Sequence, residues 1–181
     1  MKKVYDTINQ YCVEHELLTN GDGIVIGLSG GMDSVCLLQV LAALRNEWQL
    51  RLVCVHVHHG IRGTAADEDA AFAQRLAAKY NISFRLYEMD IPQLAKEQGL
   101  SEEEAGRNYR YRCFEEVRKE LNFDKIAVAH HRDDQAETVL WQILRGSGLR
   151  GVCGMRAGRA NIIRPLLCLD RQQIEQIVRG N

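Results

Sequence analysis

The chain has 181 residues, a length that fits one domain built around one sizeable core. Hydrophobic residues make up 46% and charged residues 26%, which is ordinary for a globular protein and excludes a disordered chain. No apolar run approaches the ~20 residues of a membrane span. The amino-terminal residues do not resemble a signal peptide, so we expect a cytoplasmic protein without a membrane partner.

Charge is distributed unevenly, although the net charge is only −1. Residues 145–181 contain seven arginines and no lysine, against two acidic residues. A positive segment on a nearly neutral domain indicates a polyanionic partner, and an ordinary solvated surface is the alternative interpretation.

The six cysteines are dispersed along the chain, and none forms a C-x-x-C pair or a zinc-finger spacing with histidine. Cys36 and Cys54 lie inside apolar runs. We therefore expect buried, reduced thiols that act as small hydrophobic side chains.

Strand and helix patterns alternate along the whole chain. Apolar, β-branched runs predict strands at residues 24–28, 50–57, 82–90, 125–129 and 162–163. Helical periodicity and capping residues predict helices at 2–18, from the first loop to 45, at 64–80 with Phe72 on its apolar face, at 92–98 with Gly99 as its end, at 101–121, from the segment 130–138 to about 145, and at 170–181. Ser101 and Asp170 are the expected amino-terminal caps of their helices. Residues 146–159 are expected to form a loop. This alternation predicts an α/β fold, with a doubly wound, mostly parallel five-stranded, Rossmann-like sheet and helices on both faces.

The first strand is followed by Ser29, Gly30 and Gly31 and then by a helix, an arrangement whose turn amides and helix dipole suit a phosphate. No lysine or arginine lies between Ser29 and Arg45, so this is not a Walker A loop. A cradle of amides and hydroxyls, with Asp33 able to hold Mg²⁺, suits pyrophosphate better than transfer of a γ-phosphate. The alternative is a glycine turn that binds nothing.

Polar segments follow two other predicted strands, at the sheet edge where ligands bind in such folds. His56 and His58 should face the same side of their strand, and Arg62 is suited to phosphate. A metal site and a merely solvated loop are the alternatives for this segment. Farther along, Arg107 and Arg110 are neighbours on a helix, where they meet either phosphates or surface acids.

A third segment, residues 130–138, gathers carboxylates at the start of a helix. Asp133 lies four residues before Glu137 and Asp134 lies three residues before it, so both are near Glu137 on the helix. Such a group is able to hold Mg²⁺, a substrate ammonium or both. Because aspartates also cap helices, we expect one of the two to cap the helix and the other carboxylates to bind ligands.

These motifs together resemble a known family. The sequence SGGMDS at 29–34 resembles the SGGxDS loop of the N-type ATP pyrophosphatases, which cleave ATP between the α- and β-phosphates. The further motifs are HVHHGIR at 56–62, EAGRNYRY at 104–111, HHRDDQAET at 130–138, RGSGLRG at 145–151 and IIRPLL at 162–167. With them, residues 23–178 resemble the N-terminal catalytic domain of the tRNA(Ile)-lysidine synthetases.

The resemblance implies an adenine nucleotide alpha hydrolase-like fold and an ATP-dependent ligase that uses Mg²⁺. Members of the family adenylate the C2 carbonyl oxygen of the wobble cytidine in an isoleucine tRNA with a CAU anticodon. The ε-amino group of free lysine then displaces AMP and leaves lysidine. A related tRNA cytidine thiolase, which would have C-x-x-C pairs, and an ATP-binding module without chemistry of its own are the alternatives.

The resemblance also implies a role for individual residues. The nucleotide is expected to bind Ser29, Gly30, Gly31, Met32, Asp33, Ser34, His56 and Arg62, with Asp33 as the metal ligand. The expected catalytic residues are Asp33, Arg107, which would stabilise the adenylation transition state, and Glu137. Lysine is expected to bind Asp134 and Glu137, and the tRNA is expected to meet Arg145 and Arg150.

We expect residues 1–181 to form one catalytic domain. Members of the family normally continue into a helical linker and further tRNA-binding parts. The chain is therefore expected to be a truncated piece that keeps the capacity to adenylate but selects tRNA weakly. The sequence leaves open whether the protein is a homodimer.

Overall fold

The structure is a computed structural model that describes residues 2–58, 64–146 and 154–180. Its helices are α1 (Lys2–Glu14), α2 (Met32–Leu44), α3 (Thr64–Lys79), α4 (Ile91–Gln98), α5 (Glu102–Glu120), α6 (Arg132–Leu144) and α7 (Arg171–Arg179). Its strands are β1 (Gly23–Gly27), β2 (Arg51–His58), β3 (Ser83–Glu88), β4 (Lys125–Ala127), β5 (Gly158–Arg159) and β6 (Ile162–Ile163). A short 3₁₀-helix, Pro165–Cys168, precedes α7.

The strands form one sheet in the order β3-β2-β1-β4-β6-β5. All neighbouring strands are parallel except β5 and β6. The predicted α/β fold with a mostly parallel sheet is confirmed, but the prediction of five strands is wrong by one within the described residues. The added strand β5 lies in the segment that was expected to be a loop, and two residues are too few to show a periodicity.

The two faces of the sheet carry separate hydrophobic clusters. Ile24 and Ile26 pack on one face against α1, α2, α3 and α7, while Val25 packs on the other face against α4 and α5. The apolar runs of β1 and β2 are continuous because each strand is buried on both faces. Helices on both faces are therefore confirmed.

Two helix predictions differ in detail. Helix α1 ends at Glu14, not at residue 18, because Glu16 takes a left-handed backbone angle with φ of 51°. The chain then turns Leu17 into the core. In α3, Phe72 is 40% exposed, since the neighbouring Ala73 is the residue that faces the sheet.

The capping predictions at three other helix ends are confirmed. Ser101 accepts a hydrogen bond from Glu104 at the start of α5, and Asp170 accepts one from Gln173 at the start of α7. Gly99 ends α4 with a left-handed backbone angle, as a helix-ending glycine does.

Four of the five described cysteines are buried in the core, and Cys168 is partly buried against it. Burial raises the pKa of Cys36 and of Cys54 to about 12, so both thiols stay protonated. Cys153 lies outside the described residues. Within the described ranges, no helix has the length and apolar character needed to cross a membrane.

The topology creates a crevice at the carboxyl end of the sheet. Helix α2 leaves β1 toward β2, whereas α6 leaves β4 toward β6 on the other side. The loops after these two adjacent strands therefore diverge, which is where open α/β sheets bind ligands.

An ion pair on α5 connects that helix to the edge of the sheet formed by β5 and β6. Arg118 donates two hydrogen bonds of 2.8 Å to the Glu115 carboxylate and one of 2.9 Å to the carbonyl of Phe123. Asn161, between β5 and β6, donates to the same carboxylate at 2.6 Å. The Arg118 hydrogen bonds lower the pKa of Glu115 to about 2 from its ordinary value of 4.5.

This pKa predicts a pH-dependent contribution to stability. A lowered folded-state pKa stabilises the protein above the ordinary pKa, and the stabilisation is lost as pH falls through the folded-state pKa. We expect Glu115→Gln to lower the free energy of unfolding by roughly 1 kcal/mol at neutral pH, after allowance for solvent screening. The penalty should shrink as pH falls from about 5 toward 2, as measured by urea denaturation.

Glu116→Gln is the matched control, because Glu116 is an exposed neighbour on the same helix. Its effect should be small at every pH. A penalty for Glu115→Gln that does not change with pH would contradict the ion-pair explanation.

Candidate active site

A cleft of about 780 Å³ lies at the carboxyl ends of β1, β2 and β4. It is lined by residues from the first loop, from β2 and from the amino-terminal parts of α5 and α6. The predicted site residues that line it are Ser29, Gly31, Asp33, Ser34, His56, Arg107 and Asp134. The fold thus brings residues from four separate segments into one space.

The loop between β1 and α2 is stabilised by hydrogen bonds to the Ser34 side chain. Its hydroxyl donates to the carbonyl of Gly31 at 2.8 Å and accepts from the amide of Ser29 at 3.1 Å. Gly30 has a φ of 90°, a left-handed angle that favours glycine. A Cβ at Gly30 would make only ordinary contact, 3.6 Å from Asp69, so backbone conformation and not space requires glycine here.

Asp33 lies in the first turn of α2, beside the amino-terminal ends of two other helices. The Nη1 atom of Arg171, the first residue of α7, is 3.0 Å and 3.1 Å from the two carboxylate oxygens of Asp33. The Nε2 atom of His131, at the start of α6, is 3.8 Å from one of them. Sequence reasoning missed Arg171, which was noted only as one member of an arginine-rich segment.

His56 and His58 are both buried near the end of β2 and both line the cleft. The Nδ1 atom of His56 is 2.8 Å from the carbonyl oxygen of Leu28, so this nitrogen carries the ring proton. Burial lowers the pKa of His56, which keeps the ring neutral. Arg62, the other predicted residue of this segment, lies outside the described residues.

Helix α5 provides a further part of the cleft wall. Arg107 and Arg110 both line it, as their spacing on the helix predicted. The Arg107 guanidinium lies 5.9 Å from the centre of the Tyr111 ring. An exposed arginine held over an aromatic ring keeps its charge at the cleft surface.

The start of α6 corrects the expectation that an aspartate is the cap. His131 is the N-cap residue, and its Nδ1 atom accepts from the Asp133 amide at 3.3 Å. Asp134 completes the capping box, since its carboxylate accepts from the His131 amide at 2.8 Å. An imidazole nitrogen serves here as the acceptor that Ser or Asp normally supplies.

His130 and Arg164 form a second arrangement that the sequence did not reveal. Arg164 is buried, and its Nε donates to the Nδ1 atom of His130 at 3.2 Å. Burial and then the Arg164 charge lower the pKa of His130. His130 is therefore neutral with its proton on Nε2, and it offers a hydrogen-bond donor to the cleft that it lines. Both residues belong to motifs that had been noted without a role.

Four described residues of the predicted site do not line the cleft: Gly30 and Met32 of the loop, and Glu137 and Arg145 of the α6 region. Glu137 is exposed on α6, about one turn beyond Asp134. Arg145 is exposed at the end of α6, with its guanidinium 4.9 Å from the centre of the Trp141 ring. Arg150 lies outside the described residues.

The described residues contain no group of three or more His, Cys, Asp or Glu side chains arranged to hold a metal ion. An all-protein metal cage is thus not present in these ranges. The donor set at Asp33 instead suits an ion such as Mg²⁺, which keeps several waters and binds one or two carboxylates together with substrate phosphates.

Comparisons with solved structures place the fold among known architectures. The U34-tRNA thiolase NcsA from Methanococcus maripaludis, solved with its [4Fe-4S] cluster, aligns with a TM-score of 0.76 at 20% identity. That alignment covers 98% of this chain and 63% of the thiolase. The NH3-dependent NAD synthetase from Campylobacter jejuni aligns with a TM-score of 0.64 at 17% identity, covering 99% of this chain and 72% of the synthetase. At these identities the likeness concerns the fold alone.

Curated proteins are similar at much higher identity. The tRNA(Ile)-lysidine synthase of Caldanaerobacter subterraneus subsp. tengcongensis is 48% identical over 179 residues, which cover 99% of this chain and 38% of that protein. The tRNA(Ile)-lysidine synthase of Clostridium tetani is 42% identical over 173 residues, covering 95% and 36%. The chain thus spans less than two-fifths of the length of these relatives. A family model described as the PP-loop domain matches residues 2–181, and the chain therefore belongs to the PP-loop domain family.

Proposed function

We propose that this chain is the ATP-binding, adenylating domain of a tRNA(Ile)-lysidine synthetase. The observation that carries the proposal is the convergence of the Ser29–Ser34 loop, Arg107 and Asp134 on one cleft. A module that only held a nucleotide would need neither a cationic wall nor an acidic one beside the loop. Relatives at 36–48% identity that bear the name tRNA(Ile)-lysidine synthase support the choice of acceptor.

The proposed reaction has two steps. In the first, the C2 carbonyl oxygen of the wobble cytidine attacks the α-phosphorus of ATP, and pyrophosphate leaves. In the second, the ε-amino nitrogen of lysine attacks C2, AMP leaves with the oxygen, and the amine loses a proton. Adenylation is needed because the cytosine carbonyl oxygen is otherwise a poor leaving group.

The Ser29–Ser34 loop would bind the pyrophosphate part of ATP. Gly30 lets the backbone turn sharply, and the amino-terminal end of α2 supplies a positive dipole end. Asp33 would hold Mg²⁺, and its carboxylate, about a third exposed, is open to the cleft. When bound, Mg²⁺ would neutralise charge on the phosphates.

Arg107 would stabilise the adenylation transition state. Negative charge grows on the α-phosphate oxygens as the cytidine attacks, and a guanidinium binds such oxygens through paired hydrogen bonds. Arg107 lines the cleft from α5, a different element from the one that carries the loop, so it would meet the nucleotide from another side.

The carboxylates of α6 would serve the second step. Asp134 lines the cleft and would bind the lysine ammonium, while Glu137 follows three residues later on a neighbouring position of the helix. Lysine attacks only as a neutral amine, so a carboxylate must accept its proton. We assign that task to Glu137.

The tRNA would approach along the arginine-rich part of the chain. Arg145 and Arg150 are proposed to contact its phosphates, since this region carries positive charge on a nearly neutral domain. The cytosine must be unstacked to reach the cleft, which costs less in a single-stranded anticodon loop than in a duplex. We therefore propose that the reaction takes place in the cytoplasm.

A chimera tests the proposed function. The chain replaces the corresponding 38% of the Caldanaerobacter protein, and the product is mixed with ATP, Mg²⁺, radiolabelled lysine and an isoleucine tRNA transcript with a CAU anticodon. We expect ATP-dependent label in the RNA. Asp33→Ala in the chimera should reduce the incorporated label at least about a hundredfold, because the Mg²⁺ that binds the phosphates loses its protein ligand.

The unaltered Caldanaerobacter protein and a tRNA with a CAG anticodon are the controls. A folded chimera that binds ATP but incorporates no lysine, while the unaltered protein does, would overturn the assignment of lysine as the acceptor.

A second prediction separates binding from catalysis at Arg107. Arg107→Ala in the chimera should lower the rate of AMP formation by about 10²–10³-fold, because it removes a donor that acts on transition-state charge. The dissociation constant for ATP should change by less than about threefold. Single-turnover assays and equilibrium ATP binding measure the two quantities.

Arg112→Ala is the matched control, since Arg112 is an exposed arginine on the same helix that lies over the Tyr109 ring. It should leave both quantities unchanged. An equal loss of ATP binding and of rate in Arg107→Ala would show that Arg107 only binds the ground state.

A further inference from the structure

The contact between Arg171 and Asp33 joins two ends of the chain. One guanidinium nitrogen, Nη1, lies 3.0 Å and 3.1 Å from the two oxygens of the Asp33 carboxylate. The Arg171 side chain is 47% exposed and the Asp33 side chain, which lines the cleft, is 32% exposed, so both are accessible to solvent. The proposed metal ligand is thus occupied by an internal cation.

The backbone that carries Arg171 is firmly held. Ile174 and Ile177 of α7 are fully buried in the same cluster as Leu41 of α2. The backbone amide of Arg171 donates to the Asp133 carboxylate at 3.2 Å. Because the backbone is fixed, a change of partner by Arg171 needs only a rotation of its long side chain.

The loop lacks the cation that phosphate loops usually contain. No lysine or arginine lies between Ser29 and Arg45, whereas a Walker A loop provides a lysine for the β- and γ-phosphates. Arg171 comes from 138 positions beyond Asp33 and reaches the same loop. A guanidinium is well suited to binding two phosphate oxygens at once.

We propose that Arg171 is a pyrophosphate-binding residue that exchanges partners. Without nucleotide it pairs with Asp33, and when nucleotide binds it releases Asp33 to the metal and contacts the β,γ-pyrophosphate. The inference rests on the proposed function, in which this loop binds the pyrophosphate part of ATP.

The geometry explains why an exchange is required. Since Nη1 lies between both oxygens of Asp33, a metal ion approaching on that side meets a positive charge. The pyrophosphate supplies a more negative partner for the guanidinium. Its arrival therefore removes the pairing and frees the carboxylate in one event.

The test uses pyrophosphate itself with the 181-residue chain. Isothermal titration with inorganic pyrophosphate in the presence of Mg²⁺ compares the wild type with Arg171→Gln and Arg179→Gln. Arg179 is the matched control, because it is an exposed arginine of the same helix, paired with Glu175 at 3.6 Å. We expect Arg171→Gln to weaken binding by about tenfold or more and Arg179→Gln by less than about twofold.

A second measurement has the opposite sign. Mn²⁺ replaces Mg²⁺ and is titrated alone, with free Mn²⁺ followed by electron paramagnetic resonance. Arg171→Gln should bind Mn²⁺ several-fold more tightly than the wild type, because Asp33 no longer has an internal partner. Asp33→Asn should abolish this gain. A residue that only supports folding would weaken both ligands together.

The outcomes separate the inference from the proposed function. Unchanged pyrophosphate affinity in Arg171→Gln, or Mn²⁺ affinity that does not rise, would overturn the exchange alone. A wild-type chain that binds no pyrophosphate would overturn both. Neither titration contains tRNA or lysine, so a failure of the chimera to incorporate lysine would leave this inference standing.

Discussion

The position of the site depends on one topological constraint: α2 and α6 leave adjacent parallel strands in opposite directions. Because β1 is paired with a strand on each side, its carboxyl end is fixed, and the loop that begins at Ser29 starts from a fixed position. The start of α6 is fixed in the same way by β4. Residues that are distant in sequence therefore meet with little freedom, which is what the precise orientation of reacting groups requires.

Three helix amino-terminal ends converge near this crevice, and each carries an aspartate. Asp33, Asp134 and Asp170 lie in or next to the first turns of α2, α6 and α7, where the helix dipole favours negative charge. The same positive helix ends would also attract a phosphate group, which would have to compete with these carboxylates. Arg132 and Arg171 balance those carboxylates through contacts with Asp170 and Asp33.

Sequence reasoning succeeded where a local pattern carries the information. The continuous apolar strands, the caps at Ser101 and Asp170, and the Ser29–Ser34 loop were all predicted correctly, since each depends on neighbouring residues. It missed β5, which is too short to have a period, and Arg171, whose partner lies 138 positions away. It also placed the cap of α6 on an aspartate, because an imidazole acceptor has no distinctive sequence pattern.

His56 and His130, two histidines that line the cleft, show how the site separates polarity from charge. The Nδ1–H group of His56 donates a hydrogen bond to the carbonyl of Leu28, while the Nδ1 atom of His130 accepts a hydrogen bond from Arg164. Burial lowers the pKa of both rings, so each presents a neutral Nε2 whose role is set by its partner, an acceptor in His56 and a donor in His130. Positive charge at the cleft is then left to guanidinium groups, those of Arg107 and Arg110 in its lining and that of Arg171 on Asp33. In the proposed reaction, such long side chains would follow negative charge as it moves from the α-phosphate to the departing pyrophosphate, which a fixed imidazolium could not do.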